Sequence, residues 1–156
     1  MDVSVGTSGF SYPAWKGRFY PQKLPNGKML GFYSTRFKSV ELNNTFYRMP
    51  TESNLVAWRD EVPDEFRFAI KAPRRITHIE RLAGAGDALT FFLNVLDALG
   101  KKRGPILFQL PPFMKKDLER LRAFLAQLKS VRAAFEFRHP SWFDAEVFGA
   151  LESVGA

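Results

Sequence analysis

The stretch GPILFQLPP, residues 104–112, carries the pattern from which the fold can be worked out. The bulky apolar side chains of Ile106, Phe108 and Leu110 lie on one face of this stretch. Leu107 and Gln109 alternate with them on the other face, which is apolar first and polar at its carboxyl end. This period of two predicts a strand over 105–110. Two prolines then stop the strand, and a leucine stripe with Asp117 as N-cap predicts a helix over 118–128. The segment is therefore one β/α unit.

Four more segments of the chain repeat this organisation. The other predicted strands cover 3–6, 39–43, 67–71 and 132–137. The other predicted helices cover 29–37, 53–61, 88–99 and 145–154, with Ser53, Asp87 and Asp144 as N-caps for the last three. Strand starts recur about every 32 residues, the size of a β/α unit. Strict alternation of strand and helix predicts an α/β fold with parallel strands.

The faces of the strands distinguish two parallel architectures. A doubly wound sheet buries both faces of its strands, which then read as continuous apolar runs. A barrel turns one face to the helices and the other to the lumen. Strand 39–43 has apolar Val40 and Leu42 alternating with Ser39, Glu41 and Asn43. This alternation favours a TIM-barrel-like fold whose lumen face becomes polar at the carboxyl end.

The length of the chain sets a limit on that barrel. A complete barrel needs eight units and roughly 200 residues or more, whereas the 156 residues supply about five units. We therefore expect a truncated barrel, the N-terminal part of a full one, unless partners supply three units. No low-complexity linker divides the chain, so residues 1–156 are predicted to be a single domain.

Composition excludes several classes of protein. The chain is 46% hydrophobic and 25% charged, which supports a folded core and argues against disorder. The absence of cysteine excludes a disulfide scaffold, a zinc–thiolate site, an iron–sulfur cluster and a thiol nucleophile. No apolar run is long enough to span a bilayer and no secretory signal is visible, so we expect a cytoplasmic protein with no membrane contact.

Polar residues recur at the carboxyl ends of the predicted strands. They are Glu41, Asn43, Lys71, Gln109, Glu136 and Arg138, with His139 directly after the last strand. A charged residue inside a parallel strand is costly unless it is paired. A catalytic or ligand site therefore competes with a buried ion-pair network, for instance Glu41–Lys71 and Glu136–Arg138.

If the residues form a site, each type suggests a role. Glu41 and Glu136 are candidate general acids or bases, and Lys71 could neutralise an anion or act as a Schiff-base nucleophile. Arg138 could bind a carboxylate or phosphate bidentately, while Asn43 and Gln109 would orient the ligand. A metal site built from Glu41, Glu136, His78 and His139 is a weak alternative, because the histidines follow no short ligand motif.

Two loops extend the predicted mouth of the barrel. The loop after the third strand, KAPRRITHIERL at 71–82, is strongly basic and contains His78, and Lys115 and Lys116 follow the fourth strand on the same side. With a net charge of +7, this pattern favours an anionic ligand over a merely solubilising surface. The first loop, TSGFSYPAWKGRFYP at 7–21, offers Trp15 and other aromatic rings for stacking on a ligand, or for packing against the first helix. It contains no phosphate-binding glycine motif, and no serine hydrolase motif accompanies its serines.

These motifs together resemble a known family. The stretches are GTSGFSYPAWKGRFYP (6–21), VELNNTFYRMP (40–50), FRFAIKAPRRITH (66–78), GPILFQLPP (104–112) and FEFRHPSW (135–142). In this order they resemble the YecE-like family, domain of unknown function 72. The resemblance implies a TIM-barrel-like fold and a site at its mouth lined by the matching residues. It implies no reaction, because the family has no established activity, and its members are usually longer than this chain.

The sequence therefore predicts an uncharacterised protein whose mouth binds a small anionic ligand, such as a phosphate ester. Glu41, Lys71 and Glu136 are the candidate catalytic residues of an enzyme. The candidate ligand-binding residues are Asn43, His78, Gln109, Arg138, His139 and Trp15. The alternatives are a nucleic-acid-associated protein that uses the basic mouth and the loop aromatics, and a non-catalytic barrel remnant. No cofactor or oligomeric state is indicated.

Overall fold

The computed structural model describes residues 3–128 and 131–156. In these residues five strands form one parallel sheet in the order β1-β2-β3-β4-β5. The strands are β1 (Gly6–Ser8), β2 (Ser39–Leu42), β3 (Arg67–Lys71), β4 (Arg103–Gln109) and β5 (Ala133–Glu136). The predicted α/β fold with parallel strands is confirmed. The strand order follows the chain without reversal, whereas a doubly wound sheet reverses at a switch point.

Six α-helices lie between and after the strands in the part of the chain that the structure describes. They are α1 (Met29–Ser34), α2 (Asn44–Tyr47), α3 (Glu52–Glu61), α4 (Gly86–Leu96), α5 (Leu118–Leu125) and α6 (Ala145–Glu152). Short 3₁₀ turns occur at Pro13–Trp15, Asn26–Lys28, Asp97–Lys102 and Pro140–Trp142, and a π-helical turn spans Arg75–Ile79. Within the described residues, none of these helices is both long enough and apolar enough to cross a bilayer.

The core lies on one face of the sheet, as the alternation predicted. The side chains of this face are at most 2% exposed in the three central strands, namely Val40, Leu42, Phe68, Ile70, Ile106 and Phe108. They pack in one cluster with buried residues of the helices, among them Leu55 of α3, Phe92 of α4 and Phe124 of α5. The other face, which includes Glu41, Lys71 and Gln109, is only half-buried. The sheet therefore has a helix-covered face and an open face.

The first strand lies further along the chain than predicted. The predicted strand covered 3–6, but Val3 is 77% and Val5 is 64% exposed. Pairing with β2 begins instead at Gly6, which lies beside Ser39, and extends to Ser8, which lies beside Glu41. The correction arises because hydrogen-bonding register, not local hydrophobicity, decides where a short edge strand begins.

Two N-cap predictions were wrong. The cap of α3 is Thr51, whose hydroxyl oxygen accepts from the backbone N–H of Asn54 at 3.3 Å, and Ser53 lies inside the first turn. Helix α4 begins at Gly86, so Asp87 is already helical. A cap accepts from an N–H two or three residues ahead, and for α3 the backbone is extended at Thr51. The predicted caps Asp117 of α5 and Asp144 of α6 are confirmed.

Four helices end before their predicted residues. Helix α1 ends at Ser34 instead of 37, α4 at Leu96 instead of 99, α5 at Leu125 instead of 128, and α6 at Glu152 instead of 154. After α4 the chain tightens into the 3₁₀ segment Asp97–Lys102, which Gly100 kinks with a φ of 52°. Apolar periodicity continues past these ends because turn residues also pack on the core, so the pattern overestimates helix length.

Candidate functional site

The carboxyl ends of all five strands contribute polar side chains to one depression on the open face. Its volume is about 470 Å³. It is lined by Ser8, Glu41, Asn43, Phe46, Tyr47, Lys71, Leu107, Gln109 and Glu136. Parallel register places Ser8 beside Glu41 and Gln109 beside Glu136. We call this depression the mouth.

The carboxylate of Glu41 is held by the end of β1. The hydroxyl of Ser8 donates to Glu41 Oε1 at 3.0 Å, and the side-chain amide of Asn43 donates to the Ser8 hydroxyl oxygen. Within the described residues, the second oxygen of Glu41 has no hydrogen-bond partner. The arrangement orients one carboxylate oxygen and leaves the other available to a ligand.

Glu136 is bound on both of its oxygens. The side-chain amide of Gln109 donates to Oε2 at 2.7 Å, and the guanidinium Nε of Arg138 donates to Oε1 at 3.1 Å. The contact between Glu136 and Arg138 is one of the two ion pairs considered in the sequence analysis. The other, between Glu41 and Lys71, is not formed, because Glu41 bonds to Ser8 and Lys71 lies over an aromatic ring. The charged residues therefore do not close into one ion-pair network.

The ring of Phe46, in α2, is in contact with two basic side chains, those of Lys71 and His78. Lys71 Nζ lies 5.0 Å from the centre of its ring, and the His78 ring stands edge-on to it with centroids 5.0 Å apart. In the described part of the chain, Lys71 has no ion-pair partner. Its charge is left for another group to neutralise.

His78 is the titratable centre of the basic loop. The π-helical turn Arg75–Ile79 positions it, and its Nδ1 lies 2.9 Å from the Thr77 hydroxyl. Burial lowers the pKa of His78, and the positive charges of Lys71, Arg74 and Arg138 lower it further. The imidazole is therefore neutral near pH 7. A bound anion would offset the repulsion among the positive charges that act on it.

Two predicted ligand residues have local structural partners. His139 caps the 3₁₀ turn Pro140–Trp142, since its Nδ1 accepts from the backbone N–H of Ser141 at 3.1 Å. Trp15 packs among aromatic rings of its own loop, with centroid distances of 4.7 Å to Tyr12 and 5.6 Å to Phe19. Neither residue lines the mouth, and neither do His78 and Arg138, which instead contact its lining residues Phe46 and Glu136.

Two further residues of the loops predicted to extend the mouth also have structural partners. Tyr20 is 1% exposed, and burial, followed by the effect of Tyr33, raises its pKa to about 12. Lys116 donates to Asp144 at 3.0 Å, an ion pair that raises the pKa of the ammonium group. These contacts remove Tyr20 from ligand stacking and compensate the charge of Lys116.

The four-residue metal hypothesis is not supported by the geometry. Between residues 3 and 128 and between 131 and 156, no three His, Asp or Glu side chains come together as a potential metal site. His139 is engaged as a cap, and Glu136 is engaged with Gln109 and Arg138.

Sequence reasoning missed Ser8, Phe46 and Tyr47 as residues of the mouth, and it placed Leu107 on the correct face of its strand without assigning it to the site. Ser8 was missed because β1 was placed too early, although its register opposite Glu41 makes it the orienting group for that carboxylate. Phe46 and Tyr47 belong to the one-turn helix α2, which is too short to show a helical period. The signal available for Phe46 was its place directly after a strand that ends in polar residues.

Comparison with known proteins agrees with the resemblance. The family described as "Protein of unknown function DUF72" matches residues 4–156. The UPF0759 protein YecE of Escherichia coli K12 is 34% identical over 143 residues, covering 90% of this chain and 50% of that protein. The UPF0759 protein YunF of Bacillus subtilis is 32% identical over 133 residues, covering 80% of this chain and 47% of that protein. The chain thus spans about half the length of these curated relatives.

Two solved structures of DUF72 family proteins share the fold of this chain. A DUF72 family protein of Thermotoga maritima, TM1631, superposes with a TM-score of 0.84 at 31% identity, covering 97% of this chain and 62% of that chain. The DUF72 family protein EF0366 of Enterococcus faecalis has a TM-score of 0.78 at 21% identity, over 97% of this chain and 57% of that chain, and supports the fold alone.

Proposed function

Because the chain belongs to the DUF72 family, whose function is unknown, we propose from the geometry that its mouth binds a small anionic ligand and performs acid–base chemistry on it. The observation that carries the proposal is the group of cations around His78. Lys71 lines the mouth without an ion-pair partner in the described residues, and both its ammonium group and the His78 ring lie 5.0 Å from the centre of the Phe46 ring. The positive charges of Arg74 and Arg138 act on the same imidazole. A phosphate or carboxylate group placed among them would relieve their mutual repulsion.

The two carboxylates of the mouth are suited to different tasks. Glu41 has one oxygen held by Ser8 and one without a hydrogen-bond partner in the described residues, which suits proton transfer to or from a ligand. Glu136 has both oxygens engaged, which suits orientation of the Arg138 guanidinium toward the anion. This division supports Glu41 as the acid–base residue, Lys71 and Arg138 as anion-binding residues, and Asn43, Gln109 and His78 as orienting or proton-transferring groups.

We further propose that the sheet is the first five units of a TIM-barrel-like (β/α)₈ fold in a cytoplasmic protein. Consecutive strand order, helices against one face and polar residues at the carboxyl ends of the strands are the features of such barrels. The matched relatives are about twice as long as the region they share with this chain. The mass of the protein isolated from its own cells tests this, since a full barrel of ~250 residues would weigh about 28 kDa.

The ligand proposal is tested by calorimetric titration with inorganic phosphate and with citrate. We expect binding that Lys71→Gln and Arg138→Gln each weaken about five- to tenfold, because each removes one charge near the anion. The matched control is Lys101→Gln, which removes an exposed charge from the turn before β4, at the opposite end of the strands. Absence of binding, or equal losses in all three variants, would refute the proposal.

The nucleic-acid alternative predicts a different response in the same experiment. A single-stranded oligonucleotide that contacts several phosphates loses affinity steeply as salt rises, whereas a small anion bound by two cations shows a shallow dependence. Oligonucleotide binding with a steep slope, together with no binding of phosphate or citrate, would favour the alternative. A chain that binds neither and melts without cooperativity would favour the non-catalytic remnant.

A further inference from the structure

A second depression lies beside the mouth, between the first two strands and the helices. Its volume is about 420 Å³, within the range of small-molecule sites. We call it the helix-side pocket. Its lining residues include Phe10 of the first loop, Asn26 before α1, Asn44 after β2, and Trp58 and Glu61 of α3. Glu41 and Asn43 line both depressions, so they form the wall between them.

Helical spacing brings an aromatic ring and a carboxylate to the same side of this pocket. Trp58 and Glu61 are three residues apart on α3 and therefore share a face. The Trp58 ring is held edge-to-face by Phe10, with centroids 6.5 Å apart. The aromatic side of the pocket is thus formed by two rings from separate segments, Phe10 of the first loop and Trp58 of α3.

The Glu61 carboxylate is fixed by the backbone of α1. Its Oε1 accepts from the Gly31 N–H at 3.0 Å, and in the described residues its second oxygen has no hydrogen-bond partner. A Cβ at position 31 would lie 3.1 Å from Oε1, a tight contact, so glycine leaves the most room for this carboxylate. One oxygen positions the group, and the other remains available to a ligand.

The charge of the pocket is opposite to that of the protein. The chain has a net charge of +7, yet the charged residues among the described pocket lining are Glu41 and Glu61, with no lysine, arginine or histidine. An anion would meet only carboxylates there. A cation would meet aromatic rings and carboxylates, the combination that recognises organic ammonium groups.

We propose that the helix-side pocket binds a small organic ammonium compound, with its cationic group between Trp58 and Glu61. The side-chain amides of Asn26 and Asn44 are placed to bind polar groups elsewhere on the ligand. The proposal goes beyond the anion site, since it uses neither Lys71 nor His78.

The test is calorimetric titration with choline and with its neutral isostere 3,3-dimethylbutan-1-ol. We expect choline to bind at least about tenfold more tightly than the isostere, because the two differ mainly in charge. This comparison uses the unaltered protein, so it does not depend on the folding of any variant. Equal affinity for both compounds, or no binding of choline, would overturn the proposal.

Glu61→Gln then locates the site. Glutamine keeps a carbonyl oxygen for the Gly31 N–H but removes the charge, so choline affinity should fall roughly tenfold while isostere binding stays unchanged. Glu65→Gln, at an exposed carboxylate outside the pocket, should leave both unchanged. Equal losses in the two variants would refute the assignment. If phosphate still binds when choline does not, the helix-side pocket is excluded and the anion site at the mouth remains.

Discussion

Thr45 connects the two strands that carry Glu41 and Lys71, and its replacement by valine is the sharpest test of the structure. The side chain is 0% exposed, and its hydroxyl lies 2.8 Å from the Leu42 carbonyl and 2.7 Å from the Lys71 carbonyl. A hydroxyl donates one proton, so it serves one carbonyl fully or shares between both. Valine preserves the shape but leaves the carbonyl oxygens without this donor.

The expected loss of unfolding free energy is about 1–2 kcal/mol, the range for a buried hydrogen bond whose partner is left unsatisfied. For a domain of this size that corresponds to a fall in Tm of roughly 3–6 °C. Thermal unfolding followed by circular dichroism and calorimetry measures it.

The control is Thr35→Val, where the hydroxyl makes a similar 2.7 Å bond to the Phe32 carbonyl but the residue is exposed. Water can replace that bond, so the change in unfolding free energy should stay within about 0.5 kcal/mol. If Thr45→Val melts at the same temperature as the unaltered protein, or loses no more than Thr35→Val, then the hydroxyl does not join the two strands as described.

Three other predictions concern charge. Glu136→Gln should change the free energy of unfolding by less than about 1 kcal/mol, because its ion pair with Arg138 is largely exposed, and phosphate affinity should fall, because the Arg138 guanidinium loses the carboxylate that orients it; unchanged or tighter binding would contradict this role. Because folding lowers the pKa of His78, the folded protein disfavours the protonated imidazole. The contribution of His78 to the free energy of unfolding is therefore full above its ordinary pKa of 6.5 and is lost as pH falls through its pKa in the folded protein. A bound anion favours the imidazolium, so phosphate affinity corrected for phosphate ionisation should rise over the same interval, and His78→Gln should abolish the rise. The hydrogen bond from Lys116 lowers the pKa of Asp144 below its ordinary value of 3.8. The difference in unfolding free energy between the unaltered protein and Asp144→Asn should therefore be present above pH 3.8 and vanish as pH falls through the pKa of Asp144 in the folded protein. A difference that does not depend on pH would contradict the ion pair.

The accuracy of the sequence predictions depended on how local each signal is. Strand β3 occupies Arg67–Lys71, the residues predicted, because its alternation is complete and polar residues bound it. The caps Asp117 and Asp144 were also found, since a cap acts over three residues. Strand β1 was misplaced because its edge position depends on pairing with a segment more than thirty residues away.

The composition of the mouth was foreseen better than its contacts. Alternation in each strand placed Glu41, Lys71, Gln109 and Glu136 on one face, and parallel pairing brought their ends to one edge. Their partners were not foreseen in the same way. Glu41 bonds to Ser8 instead of Lys71, because register and side-chain reach select among several neighbours of similar chemistry.

The sequence by itself determined the alternating faces of the strands, their parallel association and the polar edge at their carboxyl ends. These follow from residue periods of two and about 3.6, which are properties of the backbone over a few residues. Only the tertiary structure decided that Lys71 and His78 both contact the Phe46 ring, and that Trp58 and Glu61 meet Phe10 and Gly31. Such contacts join segments distant in the chain, and they arise when the burial of apolar surface brings those segments together.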